Sequence, residues 1–293
     1  MRKFNYILIP ALIISLIAPL SAYSAQQIYS CASKPYPISN SVTRGIQRFL
    51  GLNLLATKAV EFGMQKQLKG AAKGDFDVTI KTYSAMDLLA GKLKSAELKA
   101  KNINANDIYV SSAEVKSLCD FIYIDYKKNP VVPLAPVVVG FKGTVTEKDL
   151  NKTLSSETYK NKLKGLKIKI YGNEATLVDF YNTKADIINN KISLLSDIHF
   201  AGMPESMKVP VKITAGLKLI DNKIRLTDIQ MTARSIATDF GVIGKLIELQ
   251  KPVLFDLNSL EKNGMRVDLK DLIIKDDQIN IQGTAWLPAA VKH

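Results

Sequence analysis

Three successive segments between Asp75 and Tyr126 alternate apolar and polar side chains, which commits this part of the chain to a sheet with one wet face. Phe76, Val78 and Ile80 alternate with Asp77, Thr79 and Lys81, and Ala96, Leu98 and Ala100 alternate with Glu97, Lys99 and Lys101. A third strand is expected from Ile108 towards Tyr126. A period of two puts every second side chain on the same face. Between the first two segments, Met86–Gly91 breaks the alternation and predicts one helical turn closed by Gly91, because glycine accepts the left-handed cap conformation without steric cost. Asn104–Asp107 predicts a tight turn. A sheet with one apolar face needs an apolar layer upon it. The rest of the chain must supply that cover, or more strands of the same kind.

Both are legible. From Ser39 or Ser41 a helix is expected, with Val42, Ile46, Phe49, Leu50, Leu54, Val60, Met64 and Leu68 on its apolar face. Gly45, Gly51 and Gly63 within it predict a bend or close packing on the sheet. Packing on the core and lying on a membrane surface are the two readings of this helix. A second helix is expected over Thr144–Leu166, with Thr146 and Asp149 as a capping box, and a third over about Thr238–Gln250, ended by Pro252. The apolar segment Val131–Gly140 carries Pro133 and Pro136, which predicts an edge strand or a loop rather than a central strand. Asn189-Asn190, Asp221-Asn222 and Asp276-Asp277 predict hairpin turns. Near each lies an apolar-x-Asp-apolar step, ending at Asp197, Asp228 and Asp271, that shifts the alternation by one residue. A bulge does that, and it curls the sheet. The fold class is therefore α+β: long amphipathic helices packed in a highly curved antiparallel sheet.

The first residues stand apart. Arg2 and Lys3 precede an apolar run from Ile7 to Leu20, followed by the small residues of Ala22-Tyr23-Ser24. This reads as a secretory signal over residues 1–24, cleaved near Ser24. The alternative is an uncleaved anchor, but the run is shorter than the ~20 residues a span needs. Residues 25–293 then form one domain, with 38–143 and 144–293 as candidate halves. Export makes a disulfide the simplest state for the only two cysteines, Cys31 and Cys119, two separate thiols being the alternative.

The 293-residue chain carries a formal charge of +13, nearly all of it lysine. Dispersed lysine with few arginines argues against a nucleic-acid partner and suits either a solvated basic surface or attraction to an anionic membrane surface. Catalytic signals are nearly absent. There is no glycine-rich phosphate loop, dinucleotide fingerprint or nucleophile elbow. Asp197 and His199 are a weak start to a metal site with no further ligand, so no metal and no cofactor are expected. Asp75 with Asp77, and Asp276 with Asp277, read as solvated structural carboxylates rather than an acid–base pair. An apolar gap between helices and a curved sheet would suit an acyl chain.

Three stretches carry a resemblance. Gly74-Asp-Phe-Asp-Val-Thr-Ile80 with Leu88-Leu-Ala-Gly-Lys92 and Ala96–Ala100, the middle segment Thr144–Leu154, and the closing segment Gly264–Gly283 together resemble the LmeA-like phospholipid-binding family of bacterial envelope proteins, over about Val42–Pro288. The resemblance implies a tubular, half-roll lipid-binding shape with helices cradled in the sheet. It also implies a periplasmic or cell-envelope location and a phospholipid or other acyl-lipid partner, and it offers no catalytic residues. The expectation is an exported, non-enzymatic protein that binds or shuttles phospholipid. The acyl chains would lie between Ile46, Phe49, Leu50 and Leu54 of the first helix and Phe76, Val78, Ile80, Leu89 and Leu98. The alternative is an envelope scaffold that binds a protein partner through its sheet edges and holds no lipid.

Overall fold

Four two-residue turns set the architecture. At Asn106-Asp107, Asn189-Asn190, Asp221-Asn222 and Asp276-Asp277 both residues have positive φ, between 50° and 66°. Asparagine and aspartate tolerate this region, and it matches the right-handed twist of a tight hairpin. The computed structural model describes Cys31, residues 37–41, 44, 47, 52–125, 128, 132–168, 176–204, 206–233, 253–258 and 264–289. The expected signal segment and the expected helix over 238–250 lie outside the described residues.

The first hairpin joins β3 (Ser95–Ala105) to β4 (Ile108–Ser117). With β1 (Lys73–Lys81), β7 (Val137–Thr146), β14 (Arg266–Lys275) and β15 (Gln278–Leu287) they form a six-stranded antiparallel sheet in the order β1-β3-β4-β7-β15-β14. The closing hairpin of the chain thus completes the sheet that its first strand begins. A second six-stranded sheet runs β13-β12-β11-β10-β9-β8. Its strands are β8 (Leu166–Ile168), β9 (Thr176–Ile188), β10 (Lys191–Phe200), β11 (Val209–Ile220), β12 (Lys223–Ala233) and β13 (Val253–Asp256). A small third sheet holds β2 (Lys92–Leu93), β5 (Ile122–Asp125) and β6 (Val132–Pro133). The expected long third strand is therefore divided, its end Ile122–Asp125 leaving the main sheet.

The helices correct the sequence expectation. Four run within the described residues, α1 (Leu52–Ala71), α2 (Ala85–Leu89), α3 (Glu147–Ser155) and α4 (Glu157–Lys162), and of these only α1 is long; Ser41, Arg44 and Gln47 are helical as well, where the first helix was expected to begin. The molecule is mostly open, curled antiparallel sheet with few short helices, not long helices in a sheet. The expected helix over Thr144–Leu166 gives its first three residues to β7, because Thr144 and Val145 pair with Asn280 and Ile279. It breaks again at Ser156, which takes an extended conformation and caps α4. Ser155 and Ser156 turn their hydroxyls onto the carbonyls of Asn151 and Thr153, the local competition that makes serine a poor helix interior residue. Val137–Gly140 is corrected too. It lies in β7, a central strand, and Pro136 stands just outside the first paired residue, where no ladder N–H is needed.

Helices close sheet edges here. The Glu61 carboxylate on α1 is buried and accepts the Ile80 N–H on the free edge of β1 at 2.8 Å. On α3, Asn151 accepts the Ala185 N–H at 2.8 Å and donates to the Ala185 carbonyl at 2.7 Å, while Glu147 accepts the Ile187 N–H at 3.0 Å. The β9 edge of the second sheet is thereby satisfied by a helix that follows the first sheet. The α3 start is the expected capping box of Thr146 and Asp149, and Ser111 adds a second hydroxyl to Asp149.

The three expected bulges are register shifts. At Asp228 (φ 51°) and Lys270 the extra residue lies on the expected strand. Near Asp197 it lies on the partner, at Asn182 (φ 52°), whose side chain donates to Asp197 at 2.9 Å. A fourth bulge at Asn102 (φ 52°) repeats this device, donating to Asp75 at 3.1 Å. Opposite the Lys270 bulge the strands come so close that a Cβ on Gly283 would lie 2.2 Å from the Asp268 carbonyl oxygen.

Candidate functional site

Register places two rows of apolar side chains across all six strands of the first sheet. One row runs Val78, Leu98, Val115, Phe141, Gly283, Leu269; the next runs Phe76, Ala100, Ala113, Gly143, Ile281, Leu272. The middle of the second row is small, and the Ile281 side chain lies over Gly143, 3.1 Å from where a Cβ would stand. Six strands at about 4.8 Å spacing span about 24 Å. The inward stripe of α1 (Ala56, Val60, Met64, Leu68) covers part of this face. Phe76, Val78 and Phe141 are buried, but Leu68, Leu98, Val115, Leu269, Leu272 and Ile281 are only half-buried. Leu68, Leu98 and Val115 pack against both core clusters of this sheet. The apolar surface continues into the second sheet, where Ile187, Ile192 and Leu217 pack with Ile274, Ile279 and Leu150 of α3.

One end of this face is basic. Where the C-terminus of α1, the β3–β4 turn and α3–α4 meet, two open cavities of about 470 and 850 Å³ share Asp107. Lys69 and Lys73 line the first, Lys148 and Lys152 the second. The Asp107 carboxylate accepts the Thr158 hydroxyl at 2.6 Å. Lys152 stands over the Tyr109 ring at 5.4 Å, and Lys162 over Tyr159 at 4.6 Å. Tyr159 in turn packs on the cluster of Phe76 and Ala100, so the lysines adjoin the apolar face.

The arm is fastened at the opposite end. A Cys31–Cys119 disulfide ties it to the core, as expected from export and cysteine count. Lys92 donates to the Pro37 carbonyl, and Ser39 donates to Asp87 from both its backbone N–H and its hydroxyl, at 2.9 and 2.6 Å. Burial works against the Asp87 charge, but the hydrogen bonds of Ser39 and Ser84 outweigh it and hold its carboxyl below the usual carboxylate range. Asp149 repeats the pattern: burial opposes ionisation, and Ser111 and Thr146 override it. Both carboxylates are occupied as helix caps. Asp75 and Asp197 are held by the bulge asparagines, and His199 Nε2 lies 3.1 Å from the Met203 carbonyl. Among the described residues no three histidine, cysteine or acidic side chains are grouped as metal ligands, and no helix is long and apolar enough to cross a membrane.

The residues expected to line a lipid site separate into three groups. Leu98 lies on the half-open strip. Phe76, Val78 and Ile80 share its face of the sheet but are buried in the closed core, whereas Leu54 and Leu89 are exposed at the corner of α1 and α2. Ile46, Phe49 and Leu50 lie outside the residues whose side chains are described. Leu68 was legible as helix face, but Val115, Leu269, Leu272 and Ile281 were not singled out. Strand alternation puts them on the apolar side, and no local signal marks them as incompletely covered. A model of the LmeA-like phospholipid-binding family matches residues 50–284. No curated protein and no solved structure matches the chain.

Proposed function

Because the chain belongs to the LmeA-like phospholipid-binding family, we propose that it holds phospholipid acyl chains on the half-covered strip between α1 and the first sheet. The observation that carries this reading is the pair of apolar rows crossing six strands with small residues Ala100, Ala113 and Gly143 at the centre. Its span of about 24 Å exceeds the roughly 15 Å of one leaflet's acyl region, taken as half of a ~30 Å hydrocarbon core. Burial of apolar area supplies affinity, at about 0.8 kcal/mol per methylene. The lysines at Lys69, Lys73, Lys148 and Lys152 meet an anionic headgroup at the basic end. The reading is of a carrier or binder without catalysis, exported by the N-terminal leader and working in the periplasm or cell envelope. The engaged carboxylates and the arm disulfide accord with it.

Native mass spectrometry of the mature protein, with organic extraction, tests this. A stoichiometric adduct of phospholipid mass is expected, reduced in Leu98→Trp, which fills the strip without removing apolar surface. A bare protein that takes up no lipid from vesicles sinks the proposal and favours an envelope scaffold.

A further inference from the structure

The outward face of α1 is built differently from the face that packs on the sheet. With 100° per residue, Leu55 and Phe62 project opposite the inward stripe of Ala56, Val60, Met64 and Leu68. Both are 70% exposed, and they stand about 10 Å apart along the axis. Lys58, Lys66 and Lys69 share this face. The only acid of the helix, Glu61, is turned in towards Ile80 and also pairs with Lys58 at 2.8 Å, so the charge this face offers is that of Lys66 and Lys69. Next to it, α2 presents exposed Met86 and Leu89, and its first residue donates to Asn53 of α1 at 2.6 Å.

We infer that this outward face of α1 is a docking surface for an anionic phospholipid bilayer. An amphipathic helix that fills a protein groove shows apolar anchors at i, i+3, i+4 and i+7. From Leu55 the intervening positions here are Lys58 and Ala59, so the stripe is broken by charge. Two large apolar anchors among lysines fit an interfacial helix, whose rings and methyls enter the headgroup boundary while the ammonium groups meet phosphate. The inference rests on the outside of α1 and is independent of the inner strip. Leu54 and Leu89, expected inside a lipid site, belong by position to this outer corner.

The test is sedimentation of the full mature chain with vesicles of phosphatidylglycerol and phosphatidylcholine, against phosphatidylcholine alone. Wild type is expected to bind the anionic vesicles preferentially, and less in about 1 M salt, where charge is screened beyond about 3 Å. Leu55→Gln/Phe62→Gln is expected to bind about 100-fold less, one factor of ten for each anchor. Lys66→Gln should lower the preference for anionic vesicles. Both variants should keep any lipid adduct seen by mass spectrometry, which separates this face from the inner site. Phe62→Trp gives a second readout: the emission of the introduced indole should shift to the blue on anionic vesicles, against a constant background from buried Trp286. The inference is overturned if the double glutamine variant binds like wild type or the emission of the introduced indole does not move. It is equally overturned if wild type dimerises through this face without lipid and the variant is monomeric.

Discussion

Asn151→Ala tests the joint between the two sheets. Asn151 closes a two-bond ring with Ala185, at 2.8 Å to its N–H and 2.7 Å from its own amide to the carbonyl. Ala185 is 1% exposed, and both of its backbone groups depend on the Asn151 side chain for their partner. Leaving a buried backbone group unsatisfied costs about 1–3 kcal/mol, and two groups give about 2–6 kcal/mol. For a chain of this size each kcal/mol lowers the melting temperature by about 2–4 °C, so a fall of about 4–24 °C is expected. Urea unfolding followed by the fluorescence of Trp286, together with amide exchange at Ala185 and Ile187, measures it. Ser155→Ala, which removes an exposed hydroxyl one turn on, should stay within about 0.5 kcal/mol of wild type. Should Asn151→Ala behave like Ser155→Ala, with Ala185 exchanging at the wild-type rate, the view that α3 seals the β9 edge is wrong.

Three further outcomes follow from the same contacts. Replacing both cysteines by serine removes a link across 88 residues; loop-closure entropy puts the loss at about 4–5 kcal/mol, read as a lower urea midpoint in the variant and in reduced wild type. The carboxyl of Asp149 is held below its ordinary 3.8 in the folded state. Its contribution is therefore complete above the unfolded value and is lost as pH falls through the folded one. Asp149→Asn should be less stable at neutral pH and show a flatter decline below about pH 4, and a variant with an unchanged acid limb would remove Asp149 from that role. Gly283→Ala drives a methyl to 2.2 Å from the Asp268 oxygen and 2.8 Å from the Phe141 ring. A loss of at least about 1–3 kcal/mol in denaturant is expected, and a neutral result would mean that the bulge relaxes.

Much of the fold was legible because it is local. A pair of Asn or Asp residues at a turn, a hydroxyl three residues before an acid, and a glycine after one helical turn each act within a few residues. The turns at Asn189 and Asp276, the Thr146–Asp149 cap and the positive φ of Gly91 (78°) all stand as the sequence predicts. Alternation assigned the apolar face of β1 and β3, since period two needs no partner. The pairing of Cys31 with Cys119 was legible from the expectation of export and the count of two cysteines.

What the sequence left open depends on partners far along the chain. Val137–Gly140 is central only because β15, some 140 residues later, pairs with it; Pro136 stands just outside that ladder, and Pro133 lies on the edge strand β6, where proline is tolerated. Asn151 and Glu61 read as ordinary helix polar residues until a free strand edge lies against them. Leu54 and Leu98 are equally apolar, yet one faces out at the corner of α1 and α2 and the other lies on the half-covered strip. The sequence by itself determined the turns, the bulged and curled strands, the apolar side of each strand and the family. Tertiary structure decided which apolar residues are covered, which are half-open and which stand outside. Burial is a property of what packs against a side chain, whereas turn geometry and alternation are properties of the chain itself.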